Sequence, residues 1–170
     1  ETLSDALSPH GQITTLIHGA GLLADGPLGE VDPAKGALAR GVKAQGLLNV
    51  LSVAGPALRR VLGIGSLAAR FGDRHQSHYS AGNAHMAAIL ADLNGIDASC
   101  IEFGPWSDSD IVRTIPAAVK AQMRADGVGF MEDAEGLEAN TAALGQGRGP
   151  LVQARRQPFA EQVTVQEVLS

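Results

Sequence analysis

The chain has 170 residues, a net charge of −5, 45% hydrophobic and 18% charged residues, and a single cysteine, Cys100. So many aliphatic residues exclude a disordered chain, and one thiol excludes an internal disulfide framework and fits a reducing, cytoplasmic compartment. No apolar run is long enough to span a bilayer, the first residues lack signal-peptide character, and 18 acidic against 13 basic side chains count against nucleic-acid binding.

Ile13 to Ile17 is a short β-branched run that stops at His18-Gly19-Ala20-Gly21, which predicts a buried parallel strand ending in a tight turn. Asp32-Pro33 predicts a helix start, with Asp as N-cap and Pro at the first helical position. Leu38, Val42, Leu47, Leu48 and Leu51 follow at helical spacing until Gly55-Pro56. Leu58 to Ile64 reads as the next strand, with Gly65-Ser66 at its carboxyl end. A polar loop leads into a helix from Tyr79 that Asn94-Gly95 ends. Ala98 to Phe103 is a third strand, closed by Gly104-Pro105-Trp106. Helices are predicted over Pro116–Arg124 and Glu132–Leu144, then a short strand from Leu151 to Ala154, and a tail or linker from Gln157 to Ser170.

Alternating strands and helices at this spacing imply an α/β fold, a parallel sheet covered by helices. Ligands of such sheets bind outside the carboxyl ends of the strands. Four residues are brought towards that rim. Ser66 ends a strand, Tyr79 opens the following helix, Asn83 lies four positions on and shares its face, and Lys43 comes from the preceding helix. Ketone reduction needs such a set. Hydride arriving at a carbonyl carbon leaves an oxyanion that requires a proton and a hydrogen-bond donor. A free phenol has a pKa of roughly 10. A neighbouring ammonium favours its ionised form, and a serine hydroxyl can hold the carbonyl oxygen.

Ser66…Tyr79-x-x-x-Asn83, with Lys43 in Val42-Lys43-Ala44-Gln45-Gly46, resembles the ketoreductase domain of polyketide and polyunsaturated-fatty-acid synthases, within the short-chain dehydrogenase/reductase superfamily. In that family the lysine comes from the preceding helix and asparagine stands four residues after the tyrosine. The resemblance extends to Ile17–Leu28, Arg70-Phe71-Gly72 with Gln76, Phe103–Trp106, Glu135–Ala139 and Gly149–Val152. It implies a Rossmann-like fold over residues 1–156 and NADPH-dependent reduction of a 3-oxoacyl thioester. The partners it implies are an acyl carrier protein, whose phosphopantetheine arm bears that thioester, and neighbouring synthase domains.

By that resemblance Tyr79 is the proton donor, Ser66 the carbonyl anchor, Lys43 the cation and Asn83 its organiser. His18, Gly19, Ala20, Gly21, Gly104, Pro105 and Trp106 border the cofactor. Asp25 stands at the last position of an element that marks the D-hydroxy (3R) product, Phe71 stands where the opposite stereochemical class carries a tryptophan, and Gln76 is placed with them at the substrate. Residues 107–130 match a lid over the substrate. A complete reductase of this kind opens with a strand and a glycine-rich turn that seats the pyrophosphate. This chain enters at what corresponds to the fourth strand, and neither Gly19–Gly21 nor Gly63–Gly65 has that turn's spacing, so the first half of the nucleotide site is expected outside these residues. Two rival readings are a non-catalytic docking half-domain of a synthase and a carbonyl reductase acting on free small ketones.

Taken singly, the other polar residues have plainer readings. His18, His75, His78 and His85 have no metal-site spacing. His18 also reads as a hydrogen-bonded strand-end residue, His78 as a loop residue, Cys100 as strand filler and Trp106 as a core anchor. The stretch from Ala34 to Gly72 carries six basic residues and no acidic one, and reads as a docking face for an acidic carrier, with Arg59 and Arg60 its test.

Overall fold

The computed structural model describes residues 2–125, 127–146 and 149–153. Four strands, β1 (Thr15–His18), β2 (Arg60–Ser66), β3 (Asp97–Phe103) and β4 (Gly149–Gln153), form one sheet in the order β1-β2-β3-β4, with every pairing parallel. The helices are α1 (Leu3–Leu7), α2 (Pro33–Val53), α3 (Ala68–Phe71), α4 (Ser77–Asp92), α5 (Asp110–Thr114), α6 (Ala117–Ala125) and α7 (Asp133–Gln146). The architecture is the parallel α/β sheet expected from the sequence. The tail expected from residue 157 onward lies outside the described residues.

Strand alternation sorts the sheet into two faces. Val61, Ala98 and Cys100 lie against Leu47 of α2 and Met86 and Leu90 of α4, while Leu62, Ile101 and Phe103 lie against Met131 and Ala143 on the α7 side. Gly63 explains how closely α4 lies on β2: a Cβ there would come within 2.5 Å of Leu90 Cδ1. The two helices cross as closely, because a Cβ on Gly82 of α4 would meet Arg40 Cα of α2 at 3.1 Å.

Local chemistry accounts for the ends. Asp32 Oδ1 accepts from the backbone N–H of Ala34 at 2.7 Å and of Lys35 at 3.2 Å, so α2 begins where expected. Several boundaries differ from the sequence reading. β1 and β2 each lie two residues further on than Ile13 and Leu58 imply, and α4 starts at Ser77, which puts Tyr79 inside its first turn. The 3-10 turn at Ser8–His10 and the short helices α1, α3 and α5 have no apolar periodicity to reveal them. In α1 the signal is a capping box, with the Thr2 hydroxyl accepting from Asp5 N–H and the Asp5 carboxylate accepting from Thr2 N–H.

Candidate active site

The site is built at the carboxyl rim of the sheet. β1 stops with His18 opposite Gly63, so its ladder does not reach Ile64. The Ile64 carbonyl instead accepts from Lys43 Nζ at 2.6 Å. Lys43 is only 4% exposed, and burial holds its pKa below the ordinary lysine range. Its stem passes Gly21, where a Cβ would lie 3.3 Å from Lys43 Cε. The ammonium therefore stands between the end of β1 and the strand that carries Ser66.

The same helix is gripped from behind. His18 is 6% exposed and its Nε2 lies 2.9 Å from the Lys43 carbonyl oxygen. A carbonyl can only accept, so Nε2 carries the proton. Burial is the main cause that lowers the His18 pKa, which leaves the ring neutral. Within the expected cofactor border, His18 is thus turned into the protein, while Gly19, Ala20 and Gly21 are exposed.

On α4, Met86 and Leu90 cover Gly63. Going back seven residues from Met86 to Tyr79 advances about 10 Å along the helix, matching the roughly 10 Å that β2 rises from Gly63 to Ser66. Tyr79 and Ser66 so come to the same rim. Tyr79 is part-exposed and Asn83 fully buried. Asn83 Nδ2 donates back to the Tyr79 carbonyl at 2.9 Å, whereas the Lys43 ammonium bonds Ile64. Asn83 was expected to order the lysine; its hydrogen bond instead ties the turn that carries Tyr79, because an asparagine side chain reaches its own helix one turn back. Asn83 Oδ1 is buried without a hydrogen-bond partner.

Ser66 Oγ accepts from Ala68 N–H at 3.2 Å, which leaves its own hydrogen to donate. The turn after it is fixed twice more: Leu67 N–H donates to the Phe103 carbonyl at 2.9 Å, and Arg70 of α3 pairs with Glu102 of β3. No sequence pattern singled out Glu102, whose side chain is 5% exposed in the centre of the sheet. A charged residue inside an apolar strand was the available signal.

Asp25 and Gln76 meet, with Gln76 Nε2 donating to Asp25 Oδ2 at 3.2 Å, and Gly26 N–H donates to the His75 carbonyl at 2.8 Å. The loops after β1 and before α4 thereby share one edge of the rim. Phe71, from the same expected set, is 71% exposed.

Trp106 is a core anchor. Its ring meets Phe103 edge-on, with centroids 5.0 Å apart at 73°, and α7 lies against it at Gly136, where a Cβ would come within 2.2 Å of Cη2. Gly104 and Pro105 are part-exposed at the end of β3. The expected lid segment holds α5 and α6, with Arg124 over the Phe130 ring at 4.9 Å.

Two sequence expectations need correction. His78 is helical rather than in a loop, and its Nδ1 accepts from Arg40 Nη1 at 2.6 Å across the α2–α4 crossing. The basic stretch is no continuous face. Lys43 is buried, Arg70 pairs with Glu102, Arg59 bonds the carbonyls of Pro56 and Leu58, and Arg60 pairs with Asp97 at 3.1 Å. Arg60 opens β2 and Ser66 closes it, so the two arginines sit about 20 Å from the rim. Cys100 is buried and its thiol is pushed up to about 12, chiefly by burial, which makes it inert packing. Among the described residues, no group of three His, Cys, Asp or Glu side chains could hold a metal ion, and no helix is long and apolar enough to cross a membrane.

The donor set suits a nicotinamide nucleotide. Exposed glycine backbone at the end of β1 lies beside a buried ammonium, and part-exposed Gly104-Pro105 faces the same rim from the end of β3.

The comparisons with known proteins agree with this architecture. The family described as KR domain matches residues 1–108. A curated relative, the polyketide synthase GfsB of Streptomyces halstedii, is 28% identical over 152 residues, which is 87% of this chain and 3% of that protein. Among solved structures, a ketoreductase domain from the bacillaene assembly line superposes with a TM-score of 0.80 at 18% identity, over 92% of this chain and 40% of the other. The angucycline C-6 ketoreductase LanV with bound NADP gives 0.71 at 16% identity, over 88% and 65%. The chain thus spans a small part of the curated relative and less than half of the first of these structures.

Proposed function

The chain belongs to the KR domain family, and from that premise we propose that its rim site carries out NADPH-dependent reduction of a 3-oxoacyl thioester to the 3-hydroxyacyl thioester. The thioester is borne on the phosphopantetheine arm of an acyl carrier protein in a cytoplasmic polyketide or fatty-acid type synthase, next to its other catalytic domains. Residues 1–156 form the reductase unit. The observation that carries the reading is the buried Lys43 ammonium, held by Ile64 on the strand that ends in Ser66.

When bound, the nicotinamide supplies hydride to the carbonyl carbon. Gly19, Ala20, Gly21, Gly104 and Pro105 are the residues to hold it; Trp106 supports them from the core. The protein's own groups handle the oxygen. Ser66 donates a hydrogen bond to it, since its Oγ already accepts from Ala68 and its hydrogen is free. Tyr79 delivers the proton, so the product is the neutral alcohol. Lys43 supplies fixed positive charge in a setting of low dielectric, where it is worth more than in water. Asn83 holds the backbone turn beneath Tyr79. Asp25 and Gln76, which bond each other, and the exposed Phe71 border the acyl chain and favour the D-hydroxy (3R) product.

The test follows nicotinamide absorbance in the intact protein with a carrier-bound 3-oxoacyl thioester and with a free cyclic ketone. Turnover of the thioester, lowered by Tyr79→Phe by the roughly 10²–10⁴ of a general acid, supports the reading. Turnover of the free ketone alone would favour a small-molecule carbonyl reductase. No turnover of either would leave a docking domain.

A further inference from the structure

We propose that His18 is a positioning residue for Lys43: its Nε2–H, bonded to the Lys43 carbonyl, sets where the Lys43 ammonium stands at the rim. The proposal rests on the reading of Lys43 as the site's cation and extends it to a residue that the family resemblance placed at the cofactor border.

Lys43 is held at three points. Its backbone oxygen takes the His18 ring at 2.9 Å, its stem lies by Gly21, and its ammonium donates to Ile64 at 2.6 Å. The first two come from β1 and the turn after it, the third from β2. A lysine side chain has many rotamers, so an ammonium with one hydrogen bond keeps its place only if its Cα is fixed as well. α2 cannot supply that alone, because a helix lying on a sheet can slide or roll by small amounts. The His18 bond stops this motion at the one residue where it matters. It also costs the helix nothing, since a carbonyl has two lone pairs and the Lys43 oxygen can serve the helix N–H four residues on as well.

The ring's surroundings agree. His18 is 6% exposed, and a Cβ on Gly46, one turn along α2, would touch its Cε1 at 3.5 Å. The ring lies flush with α2 and its one proton is committed to it. Among the described residues, Cys100 of β3 acts on the Lys43 ammonium, and the ammonium in turn acts on His18 of β1. Cys100 packs inside the α2–α4 core cluster as a buried free thiol.

Because the chain has only three lysines, Lys35, Lys43 and Lys120, isotope-labelled lysine followed by NMR reads each ammonium separately, with Lys43→Met giving the assignment. In the wild type the Lys43 resonance is expected to titrate below the ordinary lysine range, because the ammonium is buried. His18→Gln, whose amide nitrogen reaches about as far as Nε2, is expected to keep that titration. His18→Leu is expected to move it up towards the ordinary lysine range as the ammonium escapes to water, and to lower turnover about tenfold, with His18→Gln restoring most of the loss. If His18→Leu does not fold, His18→Asn, whose amide is one methylene shorter, takes its place. An unmoved Lys43 titration in the Leu or Asn variant, or a Gln variant no better than Leu, overturns the proposal. Full turnover by Lys43→Met would overturn the catalytic reading instead, while the titration would still decide the link between His18 and Lys43.

Discussion

Arg70 and Glu102, 32 residues apart in sequence, form an ion pair that joins the turn after Ser66 to the central strand β3. The Glu102 side chain is 5% exposed and that of Arg70 36%. The two ends of the pair therefore differ in what their loss leaves behind. Arg70→Ala strands a carboxylate in the sheet, whereas Glu102→Gln leaves a guanidinium that can turn to water. Arg70→Ala is expected to destabilise by about 2–3 kcal/mol and Glu102→Gln by about 1 kcal/mol. Denaturant unfolding of the two variants checks the order, and equal losses would contradict it.

Gly136 is required by Trp106. An added Cβ would penetrate the indole, which is itself held by Phe103, so no flexible chain end can give way. Gly136→Ala should cost about 1–3 kcal/mol by overpacking. Trp106 is the only tryptophan, so its fluorescence reports the displacement directly. An unchanged spectrum and midpoint would mean that α7 does not lie where described.

Cys100 should be silent towards thiol reagents in the folded protein. Its thiol is pushed up to about 12 and buried, so little thiolate exists below pH 9 and less is reachable. Labelling is expected only as the chain unfolds, in step with the loss of helical signal in increasing urea. Rapid native labelling would show that the face under α4 opens locally.

Acid should weaken the fold in a window set by His18. The folded ring has its pKa lowered from 6.5, mainly by burial, so the unfolded chain binds a proton first as pH falls. Stability is fully present above about pH 6.5 and declines below it until the folded ring also protonates. His18→Gln should remove that part of the decline, measured as the slope of unfolding free energy against pH. A slope identical to wild type would mean that the ring is not held neutral.

Much of this arrangement is written locally in the chain. The Asp32-Pro33 start and the four-residue spacing of Tyr79 and Asn83 depend on neighbours in sequence, and the structure has both. The β-branched run before His18 is a parallel strand as expected but not a buried one, because among the described residues β1 pairs only with β2 and leaves Ile17 exposed. What was not legible depends on register. Nothing in the sequence says that β1 stops opposite Gly63, yet that is why the Ile64 carbonyl is left for Lys43. Likewise the pairing of Arg60 with Asp97 follows from two strands starting level, and it places those arginines at the far end from the rim. His18 reads from the sequence both as a hydrogen-bonded strand-end residue and as a pocket edge, and its partner, the Lys43 carbonyl on α2, is what the sequence does not name.

The most direct test of the account is the pH dependence of thioester reduction by the intact protein with and without the Lys43 ammonium. Burial holds Lys43 below the ordinary lysine range, so its charge is lost at a lower pH than the about 10.4 of a free side chain. Wild-type turnover is expected to fall on the alkaline side as that charge disappears. Lys43→Met should be about 10²-fold slower at neutral pH and should lack that alkaline fall. A Lys43→Met protein that reduces the thioester at the wild-type rate, with the wild-type pH profile, would contradict the central claim.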